Sequence, residues 1–277
     1  QAFMKIPRIL AQTRIAPSAA GWTALNSSLY RNDGDHPMFI EHLLVDTDGT
    51  ICNPYLIVQP SSGPAWSRIP VLASLYFGAI DTANASSPWK LRYPFPLAPN
   101  DALLMSVQHT NVPADGAIGF SLAIFGYKDT TIKRIPDEYW APRILFAERL
   151  SIDVTSLAVT SFNSEDLRSW DDGEMVVTEF KFHVTENLAD PDGVIYAGRD
   201  QVRIRVRLGS QVWTAKNSKV SRGAIINSSM QHINVPFVRL RHGASFHVET
   251  TLTAAMSTNN VNIYCAVFGY VKVRRRC

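Results

Sequence analysis

The side chains in this sequence that are best suited to bind a metal ion are His242, His247 and Glu249. His247 and Glu249 are two positions apart and share one face of a β-strand, where an imidazole and a carboxylate could hold a divalent cation. His242 stands five positions before His247, an odd interval that turns the two rings to opposite faces of a strand. Gly243 also interrupts the strand, so we interpret this group as solvent-facing or interfacial and expect no metal site.

An acidic segment, Asp46-Thr47-Asp48-Gly49-Thr50, begins like a calcium-binding loop. Its twelfth position would be Ile57, where such a loop needs a glutamate, so a hairpin turn with an Asp-Gly pair is the better interpretation. The sequence contains no Gly-x-Ser-x-Gly elbow, no phosphate-binding loop and no Gly-x-Gly-x-x-Gly. Its three cysteines, Cys52, Cys265 and Cys277, form no Cys-x-x-Cys pair. These patterns predict a protein that is not an enzyme and that holds no metal or cofactor.

Six tryptophans could present flat apolar faces to a ligand. Such faces can stack on sugars, which raises a carbohydrate-binding hypothesis. Tryptophan is also enriched where subunits meet, and we favour that interpretation. The six are Trp22, Trp66, Trp89, Trp140, Trp170 and Trp213. Of these, we select Trp22, Trp66, Trp89 and Trp213 as interface candidates.

Three arginines alternate with apolar residues along the segment Val202–Leu208. Arg203, Arg205 and Arg207 therefore form a basic row on one face of a strand. Such a row could contact an acidic subunit surface or nucleic acid. Because the net charge is only +3 and no aromatic residues interleave with the arginines, a subunit contact is favoured, and contact with nucleic acid is left open.

Alternation of apolar and polar residues with a period of two runs through most of the chain and predicts an all-β protein. Turn-forming pairs such as Asp115-Gly116 separate the apolar runs at the spacing expected of a sandwich or barrel. The best candidate for a short helix is Leu157 to Trp170. The predicted strands include Met38–Val45, Tyr55–Val58, Leu72–Phe77, Leu103–Gln108, Gly119–Phe125, Val176–Val184, Val202–Leu208, Phe246–Leu252 and Asn260–Tyr264.

The composition suits a protein that assembles. Charged residues make up 18% of the 277 residues, below the roughly 25% of typical soluble domains, which favours a chain that hides surface against partners. No run approaches the roughly 18 apolar residues that span a bilayer, so we expect no transmembrane segment.

Three short motifs occur twice in the same order and divide the chain into two similar halves. Pro7-Arg8-Ile9-Leu10 returns as Pro142-Arg143-Ile144-Leu145, Pro94-Phe95 as Pro236-Phe237, and Phe125-Gly126-Tyr127 as Phe268-Gly269-Tyr270. We predict two tandem domains, 1–132 and 136–277, with a polar, proline-containing join between them. Pro7, Arg8, Pro142 and Arg143 begin the two halves and complete the set of interface candidates.

With room for about eight strands, each half fits an eight-stranded antiparallel jelly roll, a form of β-sandwich. Each half carries Pro-Phe before a late turn and closes on an aromatic-Gly-Tyr strand. In these features, and in its duplication, the chain resembles the double jelly-roll capsid proteins of tailless icosahedral bacteriophages. The resemblance implies a virion protein that self-assembles, commonly into trimers, contacts other virion proteins and performs no catalysis. The chain is compact for that family, which leaves room for a cement, collar or tail-connector role.

Two alternatives stay open at this point. One is a carbohydrate-binding β-sandwich protein of a phage host-recognition, collar or tail apparatus, in which loop tryptophans would bind sugars. The other is a metal-dependent, cupin-like enzyme, which would use the histidines. Sugar binding and metal content distinguish these alternatives from the virion structural protein.

Overall fold

The computed structural model of this protein describes residues 5–15, 22–48, 54–67, 69–77, 88–108, 119–152, 160–161, 175–185, 202–208, 211–212, 220–221, 232–240, 246–252 and 261–274. Strands dominate these ranges, and the strand pairs described there are antiparallel. The predicted all-β class is therefore confirmed. No helix within these ranges is long and apolar enough to cross a membrane.

The first of two compact units contains Gln1–Arg143 and Tyr270–Cys277. Its strands are β1 (Lys5–Ile15), β2 (Thr23–Ala24), β3 (Met38–Asp48), β4 (Tyr55–Pro60), β5 (Val71–Leu72), β6 (Trp89–Leu97), β7 (Leu103–Gln108) and β8 (Gly119–Asp129). They form two four-stranded sheets, with the orders β1-β8-β3-β6 and β2-β7-β4-β5. A 3-10 turn, η1 (Ser27–Tyr30), follows β2, and a short helix, α1 (Ala73–Phe77), follows β5.

The second unit contains Ile144–Gly269. Its strands are β9 (Glu138–Ile152), β10 (Thr160–Ser161), β11 (Met175–Thr185), β12 (Val202–Leu208), β13 (Gln211–Val212), β14 (Val220–Ser221), β15 (His232–Leu240), β16 (Phe246–Leu252) and β17 (Val261–Arg274). One sheet has the order β15-β11-β17-β9, and the other has the order β10-β16-β12-β13, with β14 paired to β12. The first residues of β9 and the last residues of β17 belong to the first unit.

The strand orders of the two units are the same. Counted within each unit, and leaving β14 aside, the first, eighth, third and sixth strands form one sheet, and the second, seventh, fourth and fifth form the other. This arrangement of eight antiparallel strands in two sheets is the jelly roll. The predicted jelly-roll class is confirmed, while the tandem-domain boundaries 1–132 and 136–277 stay a prediction.

Buried and partly exposed residues alternate along the strands, and this alternation shows which face of each sheet forms the core of the first unit. In β4, Leu56 and Val58 are buried, and in β7, Met105 and Val107 are buried, while the residues between them are partly exposed. A sheet with one face against the core has this pattern. The apolar residues that predicted the strands therefore also form the core.

Two of the sequence predictions need correction. Leu72–Phe77 was expected to be one strand, but only Val71–Leu72 is a strand, and Ala73–Phe77 is helical. Most of this run is buried, so it has no alternation that could separate a strand from a helix. The short helix expected at Leu157 to Trp170 is wrong at Thr160–Ser161, which form β10, and its other residues lie outside the described ranges.

The three repeated motifs occupy corresponding strands of the two units. Pro-Arg-Ile-Leu lies in β1 and β9, Pro-Phe in β6 and β15, and Phe-Gly-Tyr in β8 and β17. The strand register gives a structural alignment of β6 with β15, because Leu97 lies opposite Met38 and Leu240 lies opposite Met175. With these leucines taken as equivalent, the Pro-Phe pair sits one position apart in the two units.

Candidate assembly surface

The first copy of the repeated motif lies at the edge of a sheet. β1 pairs with β8 on one side, where Pro7 is opposite Tyr127 and Arg8 is opposite Gly126. On its other side, β1 meets no other described strand. Pro7, Arg8 and Ile9 are exposed, and Ile9 keeps 62% of its surface accessible. An exposed edge strand with apolar side chains is a natural place for another chain to bind.

A second exposed apolar side chain lies on the turn that contacts this strand. η1 contacts β1 and presents Leu29, which is 43% exposed. Two interactions hold the turn in place. The Asn26 side chain caps it by accepting a hydrogen bond from the Ser28 backbone N–H at 3.1 Å, and the Tyr30 hydroxyl donates to the Leu122 carbonyl at 2.8 Å. The surface beside β1 is therefore built on a fixed backbone.

The two charged side chains discussed in β1, Lys5 and Arg8, differ in their interactions within the chain. The Lys5 ammonium lies 4.3 Å from the centre of the Tyr127 ring, a cation–π distance. Asp129 is opposite Lys5, and hydrogen bonds from the Thr131 side chain and backbone, with a smaller contribution from Lys5, lower the pKa of its carboxyl. The Arg8 guanidinium, in contrast, makes no hydrogen bond or ion pair with any part of the chain that the structure describes.

The second copy of the motif is in the opposite situation. Pro142 and Arg143 in β9 are buried, and Arg143 is only 3% exposed. Its guanidinium donates a hydrogen bond to the main-chain carbonyl of Ala65, in the connection between β4 and β5. As interface candidates, Pro142 and Arg143 are therefore already covered within the chain.

Two of the tryptophan candidates lie in the core of the first unit. Trp66 is fully buried, and its ring packs edge-on against Trp89 at 5.8 Å and against Phe95 at 5.1 Å. Trp89 is also buried and meets Tyr76 edge-on at 5.1 Å. Neither side chain can contact a partner, because both are enclosed by their own unit.

The remaining tryptophans have different positions. Trp22 is 41% exposed and stays an interface candidate. Trp140 stacks on Tyr93, with the ring centres 5.5 Å apart, which engages one of its faces. Trp170 and Trp213 lie outside the described residues.

The register of the second unit brings together two groups that the sequence analysis treated separately. In the pairing of β12 with β16, Arg205 lies opposite Glu249 and Arg207 lies opposite His247. Arg203 lies opposite Ser221 of β14 and Thr251 of β16. Spacing alone could not show this juxtaposition, because it depends on which strands pair. The basic row and the His-Glu pair are therefore cross-strand neighbours in position.

No group of three or more His, Cys, Asp or Glu residues suited to a metal ion is found among the residues described. Asp46 and Asp48, considered above for calcium, are part of β3, and the positions after Asp48 lie outside the described ranges.

Comparison with known proteins shows which solved structures share the fold, but it identifies no family by sequence. No family model matches the chain, and no curated protein matches it. Among solved structures, it is similar to the major capsid protein P2 of bacteriophage PM2, with a TM-score of 0.50 and 9% identity over 96% of this chain and 98% of that chain.

Lower TM-scores accompany two further solved structures. PBCV-1 VP54, fitted into a reconstruction of the virophage Sputnik, gives 0.45 with 10% identity, over 99% of this chain and 95% of that chain. A peptide-N(4)-(N-acetyl-beta-D-glucosaminyl) asparagine amidase gives 0.42 with 10% identity, over 98% and 97%. At the higher score, the likeness to the phage protein spans both chains almost completely, and this chain shares its fold.

Proposed function

We propose that this chain is a capsid protein that self-assembles as a structural component of a virion, in which the jelly rolls act as rigid blocks. The observation that carries the proposal is the likeness in fold to the major capsid protein P2 of bacteriophage PM2, which covers 96% of this chain and 98% of that one. A match of this extent leaves no large part of either chain unaccounted for. We extend the proposal to a bacteriophage particle, to a trimeric assembly unit and to contacts with other virion proteins.

The exposed part of the first unit supports this proposal on physical grounds. Ile9, Trp22 and Leu29 are the large apolar side chains exposed in the described part of the chain, and all three stand within its first 30 residues. Of these, Ile9 and Leu29 lie on β1 and η1, which contact each other, and neighbouring exposed apolar side chains are typical of a contact surface. Of the candidate tryptophans, Trp66 and Trp89 are enclosed in the core, which weakens the carbohydrate-binding alternative because those rings cannot stack on a sugar.

The proposal is tested by purifying the protein and measuring its mass by sedimentation velocity over a wide range of concentrations, with electron microscopy of the same samples. We expect concentration-dependent association from the 30.8 kDa chain to a species of about three times that mass, and regular particles or sheets at high concentration. A chain that remains monomeric at high concentration, with no ordered assemblies, would falsify the proposal.

A control separates this outcome from sugar binding. Binding of the wild type and of Trp22→Ala is measured on a glycan array. Sugar binding by the wild type that Trp22→Ala abolishes, in a protein that does not assemble, would support the carbohydrate-binding alternative instead.

A further inference from the structure

The strand β17 begins in the second unit and ends in the first. The division between the units falls after Gly269, so that Phe268 belongs to the second unit and Tyr270 to the first. We call Tyr270–Arg274 the strap. Its first two residues, Tyr270 and Val271, are 4% and 5% exposed. The strap is therefore a buried part of a unit whose own strands, β1 to β8, end at Asp129.

The strap covers the outer edge of β6. This strand pairs with β3 on one side, and on its other side it meets no further described strand. Pro94 and Pro96 have no N–H to offer to another strand, and the N–H of Arg92 donates a hydrogen bond to the Tyr270 hydroxyl at 2.6 Å. Because unpaired N–H groups on an edge strand invite pairing, Tyr270 acts here as a cap.

Aromatic rings extend the contact between the strap and β6. The Tyr270 ring meets Tyr93 edge-on, with the ring centres 5.2 Å apart. Trp140, near the start of β9, stacks on the same Tyr93 at 5.5 Å, and the adjacent Tyr139 meets Phe95 edge-on at 5.8 Å. Aromatic pairs in these arrangements are stabilising. Two segments that follow β6 at a long distance in the sequence therefore hold it.

These two segments are also joined to each other. The Glu138 carboxylate, at the start of β9, lies 2.5 Å from the Lys272 ammonium and 3.0 Å from the Arg274 guanidinium. β9 and β17 are neighbours in the sheet β15-β11-β17-β9 of the second unit. Formation of that sheet therefore brings the start of β9 and the strap together before either contacts β6.

The matching tyrosine of the first copy of the motif has different neighbours. The Tyr127 ring stacks on Phe39 at 5.3 Å and lies under the Lys5 ammonium, and both residues belong to strands that pair with β8. Tyr270 instead meets Arg92, 178 positions away in the sequence. The Phe-Gly-Tyr motif alone therefore does not account for the contact with β6.

We propose that the strap makes closure of the first unit depend on the second, because β6 is held in place only when the sheet of β9 and β17 has formed. N-terminal domains generally fold first during synthesis, whereas here the first unit must wait for residues on both sides of the second. A jelly roll unfolds as a cooperative unit, so an open first unit does not present Ile9 and Leu29 to a partner. This consequence for assembly rests on the proposed function, whereas the docking of the strap does not.

The test compares two substitutions two positions apart in the full-length chain. Hydrogen–deuterium exchange is followed by mass spectrometry in β6 of the first unit and in β11 of the second. Tyr270→Ala should accelerate exchange in β6 at least about tenfold and leave β11 protected. Phe268→Ala removes a ring that contacts Lys181 of β11 and should accelerate exchange in both strands. If Phe268→Ala does not fold, Phe268→Leu provides a milder form of the same test.

Two outcomes overturn the strap. One is a β6 that stays protected in Tyr270→Ala, and the other is a Phe268 variant that opens β11 while β6 stays protected, since the first unit would then close by itself. Tyr127→Phe is the control for loss of the hydroxyl. It should leave exchange in β6 as in the wild type, whereas Tyr270→Phe, which loses the acceptor for the Arg92 N–H, should accelerate it.

Sedimentation velocity of the same variants separates the strap from the proposed function. We expect Tyr270→Ala to associate at least about tenfold more weakly than the wild type, because its first unit is open for part of the time. Association equal to that of the wild type, in a variant whose β6 exchanges freely, overturns the dependence of assembly on the strap alone. A wild type that stays monomeric contradicts the proposed function, and the exchange measurements still decide whether the strap closes the first unit.

Discussion

The main-chain carbonyl of Phe39 occupies the space that a side chain at position 126 would need. A Cβ atom built on Gly126 would overlap the Phe39 oxygen. At this place β3 has a register shift between Ile40 and His42, which brings its backbone close to β8. Gly269 has the same relationship with the Val176 carbonyl, so the glycine of the repeated Phe-Gly-Tyr motif has one structural reason in both units.

Gly126→Ala should therefore destabilise the protein by about 1–3 kcal/mol, since backbone atoms must shift to admit the methyl group. Gly34→Ala is the matched control. A Cβ there would overlap only the end of the Lys128 side chain, which can move aside, so we expect a change within about 0.5 kcal/mol. Denaturant unfolding of both variants measures the difference, and equal stabilities would contradict the close approach of β3 to β8.

Much of the fold could be predicted because its strands alternate. Leu103–Gln108, Val202–Leu208 and Phe246–Leu252 have the predicted bounds, and the period of two is clearest in Val202–Leu208. The assignment of Ala73–Phe77 to a strand was wrong, because a run of mostly buried residues carries no period that separates a strand from a helix. Alternation does not determine the order of strands in a sheet, and only the repeat and the resemblance pointed to that order.

The candidate surface was harder to predict, because burial depends on contacts between residues distant in sequence. Arg143 and Arg8 stand in the same motif, and no local signal distinguishes the buried arginine from the exposed one. Trp66 lies in the connection between β4 and β5, where an exposed ring was expected. It is drawn into the core by Trp89 and Phe95, which belong to β6.

Trp66→Ala should cost about 3–5 kcal/mol of stability, the usual loss for a large aromatic removed from a core. Trp22→Ala should change stability by less than about 0.5 kcal/mol, as is typical of surface positions. Thermal and denaturant unfolding of the two variants checks both values. If Trp22 contributes to assembly, Trp22→Ala should also weaken self-association without loss of folding. A mild effect of Trp66→Ala would contradict its place in the core.

A buried lysine in the second unit predicts a rise in stability at alkaline pH. Lys181 lies 3.3 Å from the Glu179 carboxylate and 4.6 Å from the centre of the Phe268 ring, and its side chain is 10% exposed. Burial lowers the pKa of Lys181, and Glu179 offsets part of this effect. Between the lowered pKa and the ordinary value of about 10.4, the unfolded chain binds the proton and the folded chain does not. Stability should therefore rise with pH across this window.

Melting temperatures of the wild type and Lys181→Met, measured from neutral pH to about 10, test this prediction. The melting temperature of the wild type should rise relative to that of Lys181→Met as the pH rises. Lys181→Arg is the control, because an arginine keeps its charge throughout this range, and its curve should run parallel to that of Lys181→Met. Three parallel curves would show that Lys181 titrates alike in the folded and unfolded chains.

The ion pairs of Glu138 in the first unit should make the stability of the protein depend on pH in the acid range, and on the salt concentration. The Glu138 carboxylate lies 2.5 Å from the Lys272 ammonium and 3.0 Å from the Arg274 guanidinium, and it therefore joins the start of β9 to the end of β17. The hydrogen bond from Lys272, followed by the charges of Lys272 and Arg274, lowers the pKa of Glu138. A carboxyl with a lowered pKa stabilises the fold fully above its unfolded value of about 4.3, and this contribution disappears as the pH falls through the lowered value.

Glu138→Gln should consequently be less stable than the wild type at neutral pH. This difference in stability should decrease as the pH falls below about 4.3. Added salt should shrink the difference at neutral pH, because these groups are exposed to screening. Glu41→Gln provides the control, since Glu41 is an exposed carboxylate of β3 that forms no ion pair with the residues described, and its effect should be small at every pH. A Glu138→Gln difference that stays constant from neutral to acid pH, or that ignores salt, would mean that Glu138 contributes through packing and not through its charge.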